Sequence, residues 1–140
     1  MSRSVNRQLE AEVRERAGHR CEYCHMPQAC STLKLTVDHV VAVQHHGPSD
    51  TENLALACIA CNRRKGPNLS GIDPETGAVT TLFNPRSQNW QQHFSWRGAI
   101  LAGLTGQGRA TIDVLAINSP QRTAVRLALM PSGEFPRDFE

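Results

Sequence analysis

The sequence predicts an α+β protein with a metal-stapled N-terminal core and a C-terminal α/β extension, together forming a single structural domain. Two Cys-x-x-Cys pairs, Cys21–Cys24 and Cys58–Cys61, each offer two thiolates from one tight turn. Patterns typical of helices and strands both occur along the 140 residues, a length that buries roughly 68% of the unfolded surface. Aromatic residues make up only 5% of the chain, so a metal staple would strengthen a thin core.

The first elements are a helix and a strand. Leu9, Val13 and Ala17 recur at helical spacing with charged residues between them, which predicts a helix over residues 6–17. Residues 33–41 alternate and are rich in β-branched side chains, which predicts a strand or hairpin ending near His39.

A second pair of elements leads into the second cysteine pair. Ser49 and Glu52 have the spacing of a capping box, so the apolar residues 54–57 that follow are predicted to form a short helix. Residues 62–65 are predicted to begin another helix, which ends at Gly66-Pro67.

The extension begins with a turn rich in Gly and Pro at residues 71–77, which gives a division into a core of residues 1–70 and an extension of residues 71–140. Its predicted elements are a strand over 78–83, a helical turn carrying Trp90, His93 and Phe94 on one face, a strand over 100–105, and helices over 110–117 and 119–130. The tail after Pro131 is predicted to be disordered.

Charge and hydropathy exclude several classes of protein. A formal net charge of +2 is too small for a general polyanion-coating protein. The chain has no run of eighteen apolar residues, no signal peptide pattern and no lipidation motif, so we expect a soluble, cytoplasmic protein without a membrane partner.

The cysteines predict a structural zinc site. Thirty-three residues separate the two pairs, and together Cys21, Cys24, Cys58 and Cys61 complete a tetrahedral all-thiolate shell, which suits Zn²⁺. Two alternatives are weaker: residues 21–25 also match the Cys-x-x-Cys-His pattern of haem attachment, and one pair alone would suffice for a redox dithiol. Either alternative leaves the other pair without a role, and Cys30 is a spare thiol in all three.

A second group of residues has the chemistry of phosphodiester cleavage. His39 directly follows Asp38, and Asn62 directly follows the second cysteine pair, so a base and two oxygen donors flank the metal-clamped turns. A base, oxygen ligands and a rigid scaffold are what metal-assisted phosphodiester hydrolysis requires. Each residue alone is a weak signal: Asn53 would usually start a helix, and Asn62 would usually cap one.

The joint pattern resembles the HNH endonucleases of the ββα-metal superfamily. The elements that carry the resemblance occur in order between about His19 and Gly66, and they are Cys-x-x-Cys, Asp38-His39, Asn53-Leu54, Cys-x-x-Cys-Asn62 and Lys65-Gly66. The resemblance implies a ββα-metal core in which His39 is the general base. It also implies that Asp38 binds the catalytic divalent ion and that Asn53 positions the loop of His39.

Asn62 departs from the family pattern, which often has histidine there, so the chain carries the His-Asn-Asn version. A carboxamide oxygen suits Mg²⁺ or Mn²⁺ better than Zn²⁺, and Asn62 is therefore the second predicted ligand of the catalytic ion. The resemblance implies duplex DNA as substrate. Three basic residues follow directly and are candidates for phosphate contacts: Arg63, Arg64 and Lys65.

Two other functions share the cysteines. A non-catalytic zinc-ribbon module that binds nucleic acid or protein would leave Asp38, His39 and Asn62 without a role. A redox-regulated protein that releases zinc on oxidation is the other. Metal-dependent nicking of plasmid DNA distinguishes the nuclease from both.

Overall fold

The computed structural model describes residues 5–136, and these fall into two compact units. Within the described residues, unit 1 consists of residues 5–69 and 84–88, and unit 2 of residues 70–83 and 89–136. The mixture of helices and small antiparallel sheets agrees with the predicted α+β class. Residues 84–88 belong to unit 1, although the predicted core ended at residue 70.

Unit 1 starts with helix α1 (Arg7–Arg16), which is capped by Asn6 through a 2.8 Å hydrogen bond from the Leu9 amide to the Asn6 side chain. An antiparallel hairpin follows, formed by β1 (Thr36–His39) and β2 (Leu54–Ala57). The predicted strand near His39 is therefore present.

The prediction of a short helix over residues 54–57 is wrong, because these residues form β2. Ser49 does not start a helix; instead the Asp50 side chain caps a single 3-10 turn over Thr51–Asn53. All four side chains of β2 are buried and each residue pairs with β1. Pairing with a distant strand thus outweighs the local capping pattern.

Helix α2 (Ile59–Lys65) directly follows β2 and completes a ββα order. Cys58 caps it, since its sulfur accepts a hydrogen bond from the Cys61 amide at 3.4 Å. The predicted helix at residues 62–65 is confirmed and begins three residues earlier.

The first cysteine turn is attached to β2 on one side and to residues 84–88 on the other. The Glu22 amide donates to the Leu56 carbonyl at 2.8 Å, and the Leu56 amide donates to the Glu22 carboxylate at 2.8 Å. The other oxygen of Glu22 forms an ion pair with Arg86, and both side chains are largely buried. Unit 1 is therefore closed by a segment that is distant in sequence.

Unit 2 consists of two hairpins and three helices within the described residues. Its elements are β3 (Ser70–Ile72), β4 (Val79–Thr81), α3 (Trp90–His93), β5 (Phe94–Arg97), β6 (Ile100–Gly103), α4 (Gly106–Val114) and α5 (Pro120–Leu129). β3 pairs with β4 and β5 with β6, both antiparallel. Helix α5 has Ser119 as its cap and Pro120 at its first position, as predicted.

Three predictions for unit 2 need correction. Phe94 is not part of the helical turn, because α3 ends before it and Phe94 begins β5, a strand that was not predicted. Helix α4 starts at Gly106 rather than residue 110, since the Thr105 hydroxyl accepts the Gly108 amide at 3.0 Å and caps it there. The tail after Pro131 is ordered as far as it is described. Phe135 is 2% exposed, and the centroids of the Phe135 and Trp96 rings are 4.8 Å apart. The rest of that predicted tail, residues 137–140, lies outside the described residues.

Across residues 5–136, none of the helices has both the length and the apolar character that crossing a bilayer would require.

Candidate functional site

The four predicted cysteines lie together in unit 1. Their sulfur atoms are all within 4.8 Å of one another, and the Cys24 and Cys58 sulfurs are 3.7 Å apart. Four thiolates at about 2.3 Å from a zinc ion would have edges of roughly 3.8 Å, so the spacing fits tetrahedral coordination. Of the residues that the structure describes, only these four form a cluster of three or more His, Cys, Asp or Glu ligands.

The surroundings of the cysteines also favour a metal ion. All four are buried, and burial raises the pKa of the Cys21 and Cys61 thiols well above the usual range. A cation would reverse this because it stabilises the thiolates directly. The site therefore suggests zinc, and Cys30 is not part of it.

His39 is the last residue of β1 and is half-buried. Its Nε2 atom lies 2.8 Å from the Ser49 hydroxyl oxygen. This contact fixes the direction of the imidazole from a residue that sequence reasoning did not assign to the site. The interaction joins the end of β1 to Ser49, the residue directly after the 40–48 loop that follows β1.

Asn53 holds both ends of this 40–48 loop. Its side-chain oxygen accepts the Val41 amide, and its side-chain nitrogen donates to the carbonyls of Val41 and Pro48, each at 2.9 Å. Its own carbonyl accepts the Val40 amide at 2.8 Å. At 7% exposure, the Asn53 carboxamide makes these bonds away from bulk water, where an unmade bond is costly.

Gly47 allows the loop to close on Asn53. A methyl group built on Gly47 would lie 1.7 Å from the Val41 carbonyl oxygen and 2.8 Å from the Asn53 side-chain nitrogen. No side chain fits at such distances. The loop that follows His39 thus depends on a glycine for its close backbone approach.

Asp38 is held on the side of β1 that faces α2. Its carboxylate is 5% exposed, and one oxygen, Oδ2, is 3.2 Å from the Lys65 ammonium and accepts the Tyr23 hydroxyl at 3.0 Å. Burial raises the pKa of the Asp38 carboxyl, and Lys65 and Tyr23 oppose that rise. Burial also raises the pKa of Tyr23 well above its usual range, so the phenol remains a donor.

Lys65 differs from the expectation that it contacts phosphates. It is 2% exposed, and besides Asp38 it donates to the His39 carbonyl at 3.1 Å. A helix turns by about 100° per residue, so Lys65 faces inward while Arg63 and Arg64 are exposed. The sequence alone does not distinguish these three neighbouring basic residues.

Asn62 is half-buried in α2 and lies three residues before Lys65, on a neighbouring part of the helix surface. The structure thus brings Asp38 together with Lys65 and Tyr23, and His39 together with Ser49. A shared ion between Asp38 and Asn62 stays a prediction. Tyr23 and Ser49 were missed because nothing in their sequence positions indicates their partners.

Comparison with known proteins shows what this part of the chain is similar to. Residues 21–68, which include both cysteine turns, the β1–β2 hairpin and α2, match the family model described as HNH endonuclease. The resemblance predicted from the sequence is confirmed for this segment, and it supports a nuclease-type function.

A curated relative extends the similarity beyond that segment. The chain is 25% identical over 122 residues to the Septu protein PtuB of Bacillus thuringiensis, covering 81% of this chain and 42% of the relative. The chain therefore spans less than half the length of that protein. No solved structure matches the chain.

Proposed function

We propose that this protein is an HNH-type endonuclease that hydrolyses phosphodiester bonds of DNA. The observation that carries the proposal is the set of side-chain hydrogen bonds from Asn53 to Val41 and Pro48. These bonds lie inside a segment that matches the HNH family model, and they fix the 40–48 loop directly after His39. In this role Asn53 positions the loop that follows His39, and its loss would lower the rate of cleavage more than the affinity for DNA.

His39 is the proposed general base. A neutral imidazole takes the proton of a water molecule as that water attacks phosphorus and the bond from phosphorus to the leaving 3′ oxygen breaks. Such a base contributes about 10²- to 10⁴-fold in rate. The Ser49 hydroxyl at 2.8 Å from Nε2 orients the ring. A general base needs a free lone pair on the ring, so the proposal requires the tautomer in which Nε2–H donates to the Ser49 hydroxyl and Nδ1 accepts the proton of the water.

Two metal requirements belong to the proposal. A structural Zn²⁺ is held by Cys21, Cys24, Cys58 and Cys61, whose geometry fits it. Mg²⁺ or Mn²⁺ is the expected catalytic ion, because the Asp38 carboxylate and the Asn62 carboxamide offer the oxygen donors such ions prefer. In the described arrangement the ion does not fit at Asp38 Oδ2, which is already engaged by Lys65 and Tyr23.

The deciding experiment compares nicking of supercoiled plasmid by the zinc-loaded protein with and without added Mg²⁺ or Mn²⁺. We expect His39→Ala to lower metal-dependent nicking by about 10²- to 10⁴-fold while zinc content and thermal stability stay unchanged. His45→Ala is the matched control, since it removes an exposed imidazole from the same loop. Nicking by His39→Ala at the wild-type rate would exclude His39 as the base.

The engagement of Asp38 also supports a second candidate, a non-catalytic zinc module that binds nucleic acid. In that function Asp38 and Lys65 form a structural ion pair and His39 has no reaction to catalyse. The same plasmid assay separates the candidates. Binding of DNA without nicks under any metal condition would favour the module.

Arg63 and Arg64 are the proposed phosphate contacts, because they are the exposed basic residues of α2. We expect Arg63→Ala to weaken DNA binding and to reduce the slope of log affinity against log salt by about 0.9. Arg97→Ala, which removes an exposed arginine from unit 2, is the control and should leave the slope unchanged. Equal slopes for both variants, measured by fluorescence anisotropy, would exclude a phosphate contact at Arg63.

A further inference from the structure

The buried Lys65 ammonium lies where a cation is needed, and the site described above does not use it. Its nitrogen is 3.2 Å from Asp38 Oδ2 and 3.1 Å from the His39 carbonyl oxygen. It therefore contacts two consecutive residues of β1, one through its side chain and one through its main chain. Two of the residues assigned to the reaction meet at this single amine.

We propose that Lys65 is the built-in counter-ion of Asp38 and that it competes with the divalent ion for this carboxylate. The inference rests on the proposed function, since it concerns the same predicted ion site. Asp38 contributes one negative charge in a buried place, and the ammonium neutralises it. An ion that binds at Asp38 must therefore displace the ammonium or be repelled by it.

Burial makes this competition strong. A lone carboxylate in a protein interior is costly, and the loss of its partner typically leaves an uncompensated charge. Tyr23 donates to the same oxygen but carries no charge, so it does not replace Lys65. Lys65 thus neutralises the Asp38 carboxylate, and an ion bound there would replace one cation by another.

The competition also connects the ion to His39. Because Lys65 donates to the His39 carbonyl, an ion that displaced the ammonium from Asp38 would also release a main-chain contact of the proposed base. Lys65 is in this sense a positioning residue, because it holds the end of β1 through Asp38 and the His39 carbonyl.

The lysine content of the chain makes a direct test possible. The sequence contains only two lysines, Lys34 and Lys65, and the Lys34 side chain is 74% exposed. Acetylation of the zinc-loaded protein, followed by mass spectrometry, reports the accessibility of each. We expect Lys65 to be protected without added ion and to become about tenfold more reactive with saturating Mg²⁺, a usual size for coupled sites.

Lys34 is the internal control and should react equally in both conditions, with NaCl added to match ionic strength. Two results would overturn the proposal. One is acetylation of Lys65 as readily as Lys34 before any Mg²⁺ is added. The other is continued protection of Lys65 while calorimetry shows Mg²⁺ bound.

A second measurement uses Lys65→Met, whose folding is first checked by zinc content. By Mn²⁺ titration in electron paramagnetic resonance, we expect this variant to bind Mn²⁺ about tenfold more tightly than the wild type, and Lys34→Met to bind as the wild type does. The gain should disappear in Asp38→Asn/Lys65→Met. Unchanged or weaker Mn²⁺ binding by folded Lys65→Met would contradict the competition. If the variant does not fold, the acetylation experiment on the wild type decides.

These measurements are independent of cleavage. Competition without any plasmid nicking would remove the nuclease proposal and leave the role of Lys65 intact. Nicking that depends on His39, with Lys65 protected at all Mg²⁺ concentrations, would remove the proposed role of Lys65 and leave the nuclease proposal intact.

Discussion

Replacement of Cys61 by serine is expected to release the structural zinc and to unfold unit 1. Cys61 is fully buried, and its amide also donates to the Cys58 sulfur. Structural zinc contributes roughly 10–16 kcal/mol of apparent binding free energy, and a whole domain is stable by only about 5–15 kcal/mol. Loss of the zinc is therefore comparable to the entire stability of this unit.

The measurement is zinc stoichiometry by atomic emission together with thermal unfolding followed by circular dichroism. Cys30→Ser is the matched control, because Cys30 is half-buried and lies outside the cluster. We expect it to keep full zinc content and a nearly unchanged melting temperature. A Cys61→Ser protein with full zinc content and wild-type melting, or equal losses in both variants, would contradict a four-cysteine zinc site.

Gly47→Ala is expected to disrupt the loop that follows His39. The added methyl group would lie 1.7 Å from the Val41 carbonyl oxygen, so the backbone must move and the bonds of Asn53 to Val41 and Pro48 are strained or lost. Crowding costs about 1–3 kcal/mol, and each lost hydrogen bond about 0.5–1.5 kcal/mol more. We expect a destabilisation of about 3–5 kcal/mol by denaturant unfolding.

Gly47→Ala should also lower the rate of plasmid nicking, even under conditions where the variant is fully folded. Displacement of a catalytic group by 1 Å can lower a rate about 10²-fold, so nicking should fall by at least that factor at a temperature where the variant is folded. Gly98→Ala is the comparison: nothing lies within 4 Å of its added methyl, but its φ is +62°, so we expect strain of about 1 kcal/mol and normal nicking. Wild-type cleavage by Gly47→Ala would show that the loop does not position His39.

The parts of the fold that the sequence predicts correctly are those with local signals. Each cysteine pair forms one turn as expected, because the amide of its second cysteine donates to the sulfur of its first at 3.4 Å. Helix α5 begins where Ser119 and Pro120 indicate, because capping involves only neighbouring residues. These features depend little on the rest of the chain.

The parts that could not be predicted depend on distant partners. Ser49 and Glu52 imitate a capping box and therefore predict a helix at residues 54–57, whereas the pairing of β2 with β1 has no local signature. β5 was missed because Trp90, His93 and Phe94 also match a helical face. In the candidate site, His39 and Asn53 are recognisable from the sequence because each belongs to a motif, Asp38-His39 or Asn53-Leu54. By contrast, nothing in residues 63–65 indicates that only Lys65 is buried.

The attachment of residues 84–88 to unit 1 has a consequence for how the protein is made. Arg86 pairs with Glu22 inside the first cysteine turn, yet the two are 64 positions apart. A ribosome releases the Glu22 side of this pair long before it has translated the Arg86 side. The nascent segment over residues 21–68 must therefore wait for β3 and β4 to be synthesised before the ion pair between Glu22 and Arg86 can form.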